Sequence, residues 1–245
     1  MLTWIAVLLF IGVTLLAAGR LLALFGKTRE LPELLIATLI LGVGTLGVGA
    51  GVVVPALAFT GMLGTLLGFL PIVGVHVGMS ALCFFTWLVY RNCSAVARAA
   101  AVTIVCLLGA LLAHALLRGS IAAVDALPAR PIAILNSLIY VAVMAWSSVE
   151  ALAYWRSMRQ RLALGLADAS LTNRFLLWGL ATGAPAQGIA IGAVATLGFG
   201  MAADEATWVT LCYAAHGSLS AVCFWLAFQP PEAYSRWIAR NAPAA

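Results

Sequence analysis

The sequence predicts an all-α integral membrane protein, a bundle of seven transmembrane helices, and three observations carry that prediction. Hydrophobic residues make up 64% of 245 positions and charged residues only 9%, too little charge to cover a soluble domain of this size. Apolar runs of about 20 residues recur along the chain, each long enough to cross a bilayer core as a helix. Finally, the thirteen Lys and Arg residues fall almost entirely on alternate connections. That is the cytoplasmic bias of membrane proteins, and it accounts for the basic pI without nucleic acid.

The spans follow in order. The first is Leu2–Leu24, whose LLAAG at Leu15–Gly19 resembles a signal cleavage site; its start lacks Lys and Arg and its apolar run is long, so it reads as a retained span. The second, Pro32–Val54, carries Gly42, Gly44, Gly47, Gly49 and Gly51, a face for close helix packing. The third is Leu63–Tyr90 and the fourth Ala99–Leu117. The fifth is Pro131–Trp155, the sixth Leu171–Leu197 and the seventh Asp204–Phe228, with Asp204 and Glu205 suited to cap its start. The tail segment YSRWIARN reads as a short interfacial helix.

Short connections make sequential helices antiparallel neighbours. One side then receives Arg20, Lys27, Arg29, Arg91, Arg98, Arg156, Arg159, Arg161, Arg174, Arg236 and Arg240, and the other only Arg118 and Arg130. This places the N-terminus outside and the C-terminus in the cytoplasm. The expected location is a cytoplasmic (inner) membrane of bacterial type.

Two distant stretches match. HVGMSALCFF begins at His76 and HGSLSAVCFW at His216, with His, Ser, Ala, Cys and Phe at identical offsets. The chain has only three histidines and five cysteines, so a coincidence of both types is informative. The match falls in spans three and seven, and Gly44/Gly183 and Gly49/Gly188 relate spans two and six. The sequence therefore predicts a parallel internal repeat: helices 1–3 (repeat A, about 1–92) and helices 5–7 (repeat B, about 131–230). Helix 4 links them within about 93–130, and a short cytoplasmic tail covers 231–245.

This 3+1+3 plan with an outside N-terminus resembles the broad transporter–opsin–receptor group, which includes the SWEET sugar carriers and the microbial rhodopsins. The resemblance covers most of the chain, as architecture. No family-level site carries over residue by residue. The proline–glutamine loop signature of the sugar carriers is missing. Covalent retinal of the microbial-rhodopsin type is excluded, because that chemistry needs a lysine in the last helix and the single lysine here is Lys27.

The repeated residues are the candidate site. Offsets of four and seven return to one helix face, so His76, Ser80 and Cys83 form one stripe, and His216, Ser220 and Cys223 form another. Polar groups at membrane depth face the bundle interior, where imidazoles and hydroxyls suit a small polar solute or ion. Asn136 in the outer half of span five and Gln187 in span six extend this solute site. Pro71, five residues before His76, and Pro185 in TGAPAQGIAIG are the candidate gating positions.

His76, His216, Cys83 and Cys223 are also a candidate donor set for copper or zinc, and the histidine pair for haem. Seven residues separate His from Cys along each helix, about 10 Å, which works against one ion holding all four. The leading expectation is a small-solute or ion permease or channel-like carrier. The alternatives are a sensor signalling through the basic loop between spans five and six, and a haem- or metal-binding redox protein. No phosphate loop, HExxH, kinase-type motif or nucleophile elbow appears, which argues against an enzyme. The partners implied are the lipid bilayer, a small solute or ion, further copies in a homo-oligomer, and a cytoplasmic protein at the basic loop.

Overall fold

The computed structural model of the chain describes residues 2–57, 61–118, 130–199 and 207–240. Among these residues every regular element is helical. Seven helices are long and apolar enough to span a membrane, as the sequence predicts. We label them α1 (Leu2–Thr28), α2 (Leu31–Ala56), α3 (Gly61–Tyr90), α4 (Ala95–Arg118), α5 (Arg130–Ala163), α6 (Ala169–Phe199) and α7 (Thr207–Phe228). An eighth, α8 (Glu232–Arg240), is the short tail helix expected from YSRWIARN. Asp204 and Glu205, expected to cap the last span, lie outside the described residues.

The helices outrun the predicted spans at the charged ends. α5 continues beyond Trp155 to Ala163 and takes Arg156, Arg159 and Arg161 with it. Hydropathy marks the hydrocarbon layer, whereas backbone hydrogen bonding carries a helix on into the headgroup region. Glu30 and Pro32 start α2, and proline in a first helical turn forfeits only a donor that has no partner there. Asp168 starts α6 by accepting the Leu171 N–H on Oδ1 at 2.8 Å, an N-cap bond.

The chain packs as two compact units, Met1–Tyr140 and Val141–Ala245. The expected linker, α4, belongs to the first, and α5 runs through the boundary. In the first unit the centre of α2 departs from α-helical winding: Ile40–Gly49 forms ten residues of π-helix. Its sequence, ILGVGTLGVG, contains two glycine pairs five residues apart, Gly42/Gly47 and Gly44/Gly49. In an α-helix five residues turn through about 140° beyond a full circle and separate such a pair. The i→i+5 bonds of a π-helix bring its members nearly above one another.

Each pair then faces one neighbour. A Cβ on Gly42 would lie 2.5 Å from the Gly74 carbonyl oxygen and 2.9 Å from the Gly78 nitrogen of α3, and one on Gly47 would meet Val75. A Cβ on Gly44 would meet Thr14 of α1, and one on Gly49 would meet Ile11. Thr14 and Thr45 add a hydroxyl contact across α1 and α2 at 3.0 Å. Gly51 is different, since a Cβ there meets only Pro71 at ordinary contact distance. Lipid supplies no hydrophobic drive between helices, so such close backbone packing is what holds them together.

In the second unit hydroxyl groups make the corresponding links. Ser148 Oγ donates to the Gly179 carbonyl at 2.8 Å and Trp178 Nε1 donates to Ser147 Oγ at 3.1 Å, joining α5 to α6. Phe224 and Phe228 of α7 meet the Trp178 ring edge-on. Leu177, Ala181, Cys223 and Ala227 form a buried cluster beside them.

Candidate functional site

α3 carries no charged residue, and His76 lies midway along its thirty residues. The side chain is 4% exposed. Its Nδ1 lies 2.8 Å from the Ile72 carbonyl oxygen. A carbonyl only accepts, so Nδ1 carries the proton, and in the neutral ring Nε2 holds the lone pair. The Tyr140 hydroxyl stands 3.2 Å from Nδ1 and 3.4 Å from Nε2. With Nδ1–H committed to Ile72, that hydroxyl donates to Nε2. The two rings meet edge to face, centroids 5.6 Å apart.

Asn136, one helical turn before Tyr140 on α5, stands within electrostatic reach of both rings. Its Oδ1 is buried and meets no donor in hydrogen-bonding geometry. His76, Asn136 and Tyr140 therefore form one polar group. Asn136, a candidate site residue from the sequence, stands beside His76. Tyr140 is not among the residues the sequence points to, although it carries a signal: it lies four residues from Asn136, a polar pair on one face of an apolar helix.

The two serines are committed elsewhere. Ser80 Oγ donates to the carbonyl of His76 on its own helix at 2.8 Å. Ser220 Oγ donates to the Ala181 carbonyl of α6 at 2.7 Å. That acceptor is the one Pro185 leaves without an i→i−4 donor. α6 runs on past Pro185, and α3 past Pro71. The carbonyl freed at Pro185 is thus satisfied by α7.

His216 repeats the local habit of His76: its Nδ1 donates to the carbonyl four residues back, Cys212, at 2.6 Å. Its surroundings differ. It lies beside Gly188 in the seam between α6 and α7, with Tyr213 against Gly188 and Gly192 above it and Ser220 below. Cys223 continues that seam into the buried cluster, while Cys83 turns its Sγ toward the Ala101 carbonyl of α4, 3.8 Å away. So in α7 the repeated stripe packs on α6, and in α3 it faces α4 and the start of α5. Gln187 is exposed. Among the described residues no three His, Cys, Asp or Glu side chains converge to hold a metal ion.

Seven helices long and apolar enough to cross a membrane mark the chain as an all-helical integral membrane protein. No known family matches it, and no curated protein or solved structure does so either.

Proposed function

We propose that the protein is a small-solute carrier whose principal polar contact is the His76–Tyr140–Asn136 group. The observation that carries this reading is the donor–acceptor balance there. Nδ1–H of His76 goes to Ile72 and the Tyr140 proton goes to Nε2. The buried Oδ1 of Asn136, which meets no donor in hydrogen-bonding geometry, is then left over as an acceptor. An unserved acceptor at membrane depth is costly, and a small solute bearing N–H or O–H groups relieves that cost. The solute class is therefore a neutral or ammonium-type hydrogen-bond donor, in preference to an anion.

His216, whose Nδ1 is held by Cys212, keeps Nε2 as an acceptor within the second unit. The repeat of helices 1–3 in helices 5–7 and the outside N-terminus belong to the same proposal. In support of the repeat, the second helix of each set places a glycine on a hydroxyl residue of the first: Gly44 on Thr14, and Gly183 on Ser148.

The test is uptake of labelled methylammonium and glycerol into proteoliposomes. Wild-type protein should carry at least one of them above empty liposomes, and His76→Ala should lose that flux while keeping its thermal midpoint. Tyr140→Phe, which removes the donor to Nε2, should reduce the rate at least tenfold. Full flux in His76→Ala would refute the assignment.

A further inference from the structure

The end of the second unit that bears the α5–α6 connection collects arginines from three helices, and contacts between those helices hold the arginines together. Tyr154 of α5 packs on Phe175 of α6 with ring centroids 4.7 Å apart. Asn173 of α6 donates from Nδ2 to Tyr234 Oη of α8 at 2.9 Å, and Tyr234 also packs against the Leu177–Ala227 cluster. Each link lies next to basic residues: Arg156, Arg159 and Arg161 on α5, Arg174 on α6, and Arg236 and Arg240 on α8. All six are exposed.

The nearby carboxylates do not neutralise this surface. Asp168 is engaged in capping α6. Glu232 pairs with Arg236 at 3.4 Å, with both side chains largely in the open, an arrangement that contributes little. Aromatic groups complete the surface. The Arg159 guanidinium lies over the Trp155 ring at 5.2 Å, and Trp237, 59% exposed, stacks on Tyr234. α8 is amphipathic, with Tyr234 turned to the protein and Arg236, Trp237 and Arg240 turned out.

We infer that this surface binds the headgroups of anionic phospholipids, with α8 lying in the interface as a strap across them. Charge complementarity selects the lipid. Guanidinium groups pair with phosphate in two-pronged fashion, and basic residues at a membrane surface favour anionic over zwitterionic lipid by about 1 kcal/mol each, roughly fivefold in binding. The exposed Trp and Tyr rings supply the headgroup-depth anchors of an interfacial helix. The sequence alone marks the connection Tyr154–Phe175, Arg174 included, as basic; the structure joins α8 to it.

The test uses the full chain in nanodiscs of phosphatidylcholine, with and without one-third phosphatidylglycerol, and reads the thermal unfolding midpoint and the lipid retained after detergent extraction. Wild-type protein should unfold several degrees higher with phosphatidylglycerol and should retain that lipid several-fold above its bulk share. The double variant Arg174→Gln/Arg236→Gln should lose most of both effects while matching wild type in pure phosphatidylcholine. Arg98→Gln, an exposed arginine of the first unit, should behave as wild type. If Arg98→Gln loses as much as the double variant, the effect is one of general charge and the inference fails. It also fails if the double variant keeps the full lipid response. Should the double variant fold poorly in phosphatidylcholine, Arg240→Gln with Arg159→Gln gives the same comparison without touching α6.

Discussion

At the scale of single residues, identical letters do different work. Ser80 and Ser220 occupy matching places in the two repeated stretches, yet Ser80 bonds to its own helix and Ser220 serves a carbonyl on another. Ser80 donates to a carbonyl that helical bonding already supplies, so its loss leaves nothing unmet. Ser220 donates to Ala181, whose helical donor Pro185 removed. Ser220→Ala should therefore destabilise the protein by about 1 kcal/mol, the usual size of an interhelical hydrogen bond in membranes, whereas Ser80→Ala should change it by less than about 0.5 kcal/mol. Unfolding in mixed micelles checks this, and equal losses for the two variants would remove the assigned difference. The candidate site was legible in part for the same reason. His76 and Asn136 stand out because polar residues are rare in these spans. Their meeting, and the part of Tyr140, depend on how α5 is rotated against α3, which no spacing within one helix specifies.

At the scale of elements, the spans were readable because hydropathy and length follow directly from the bilayer, and all seven appear. The π-helical centre of α2 does not follow from hydropathy, because a glycine-rich apolar run fits an α-helix equally well and signals only closeness to a neighbour. The five-residue spacing of Gly42/Gly47 and Gly44/Gly49 is the signal. Glycine makes this winding tolerable here, since Gly42 and Gly74 bring two backbones within a distance that any Cβ would block. Gly42→Ala would place a methyl group against the backbone of Gly74 and Gly78, which has no side-chain rotation by which to yield. We expect a loss of about 1–3 kcal/mol, typical of overpacking. Gly109→Ala in α4, where nothing lies within 4 Å, is the matched control and should be neutral or slightly stabilising through helix propensity. Unfolding midpoints of the two variants decide the matter; a tolerated Gly42→Ala would mean that α2 does not depend on this contact.

At the scale of the whole molecule, direction across the membrane rests on charge, and one native side chain can report it. Cys93 is exposed in the turn between α3 and α4, flanked by Arg91 and Arg98. Cys83 and Cys223 are buried. Cys106 lies midway along α4, at a depth where water-soluble reagents do not enter, and Cys212 lies half-buried in the second turn of α7. A membrane-impermeant maleimide should therefore label Cys93 foremost and, in the proposed orientation, only from the cytoplasmic side. Spheroplasts expressing the protein should remain unlabelled, inside-out vesicles should take up one label per chain, and Cys93→Ser should abolish it. Labelling of intact spheroplasts would reverse the orientation and move the basic surface of α5, α6 and α8 to the outer face. Labelling that persists in Cys93→Ser would instead mean that water reaches Cys106 or Cys212. A wet Cys212, one turn from His216, would point to an aqueous path along the α6–α7 seam. A single experiment thus bears both on which way the bundle faces and on where water enters it.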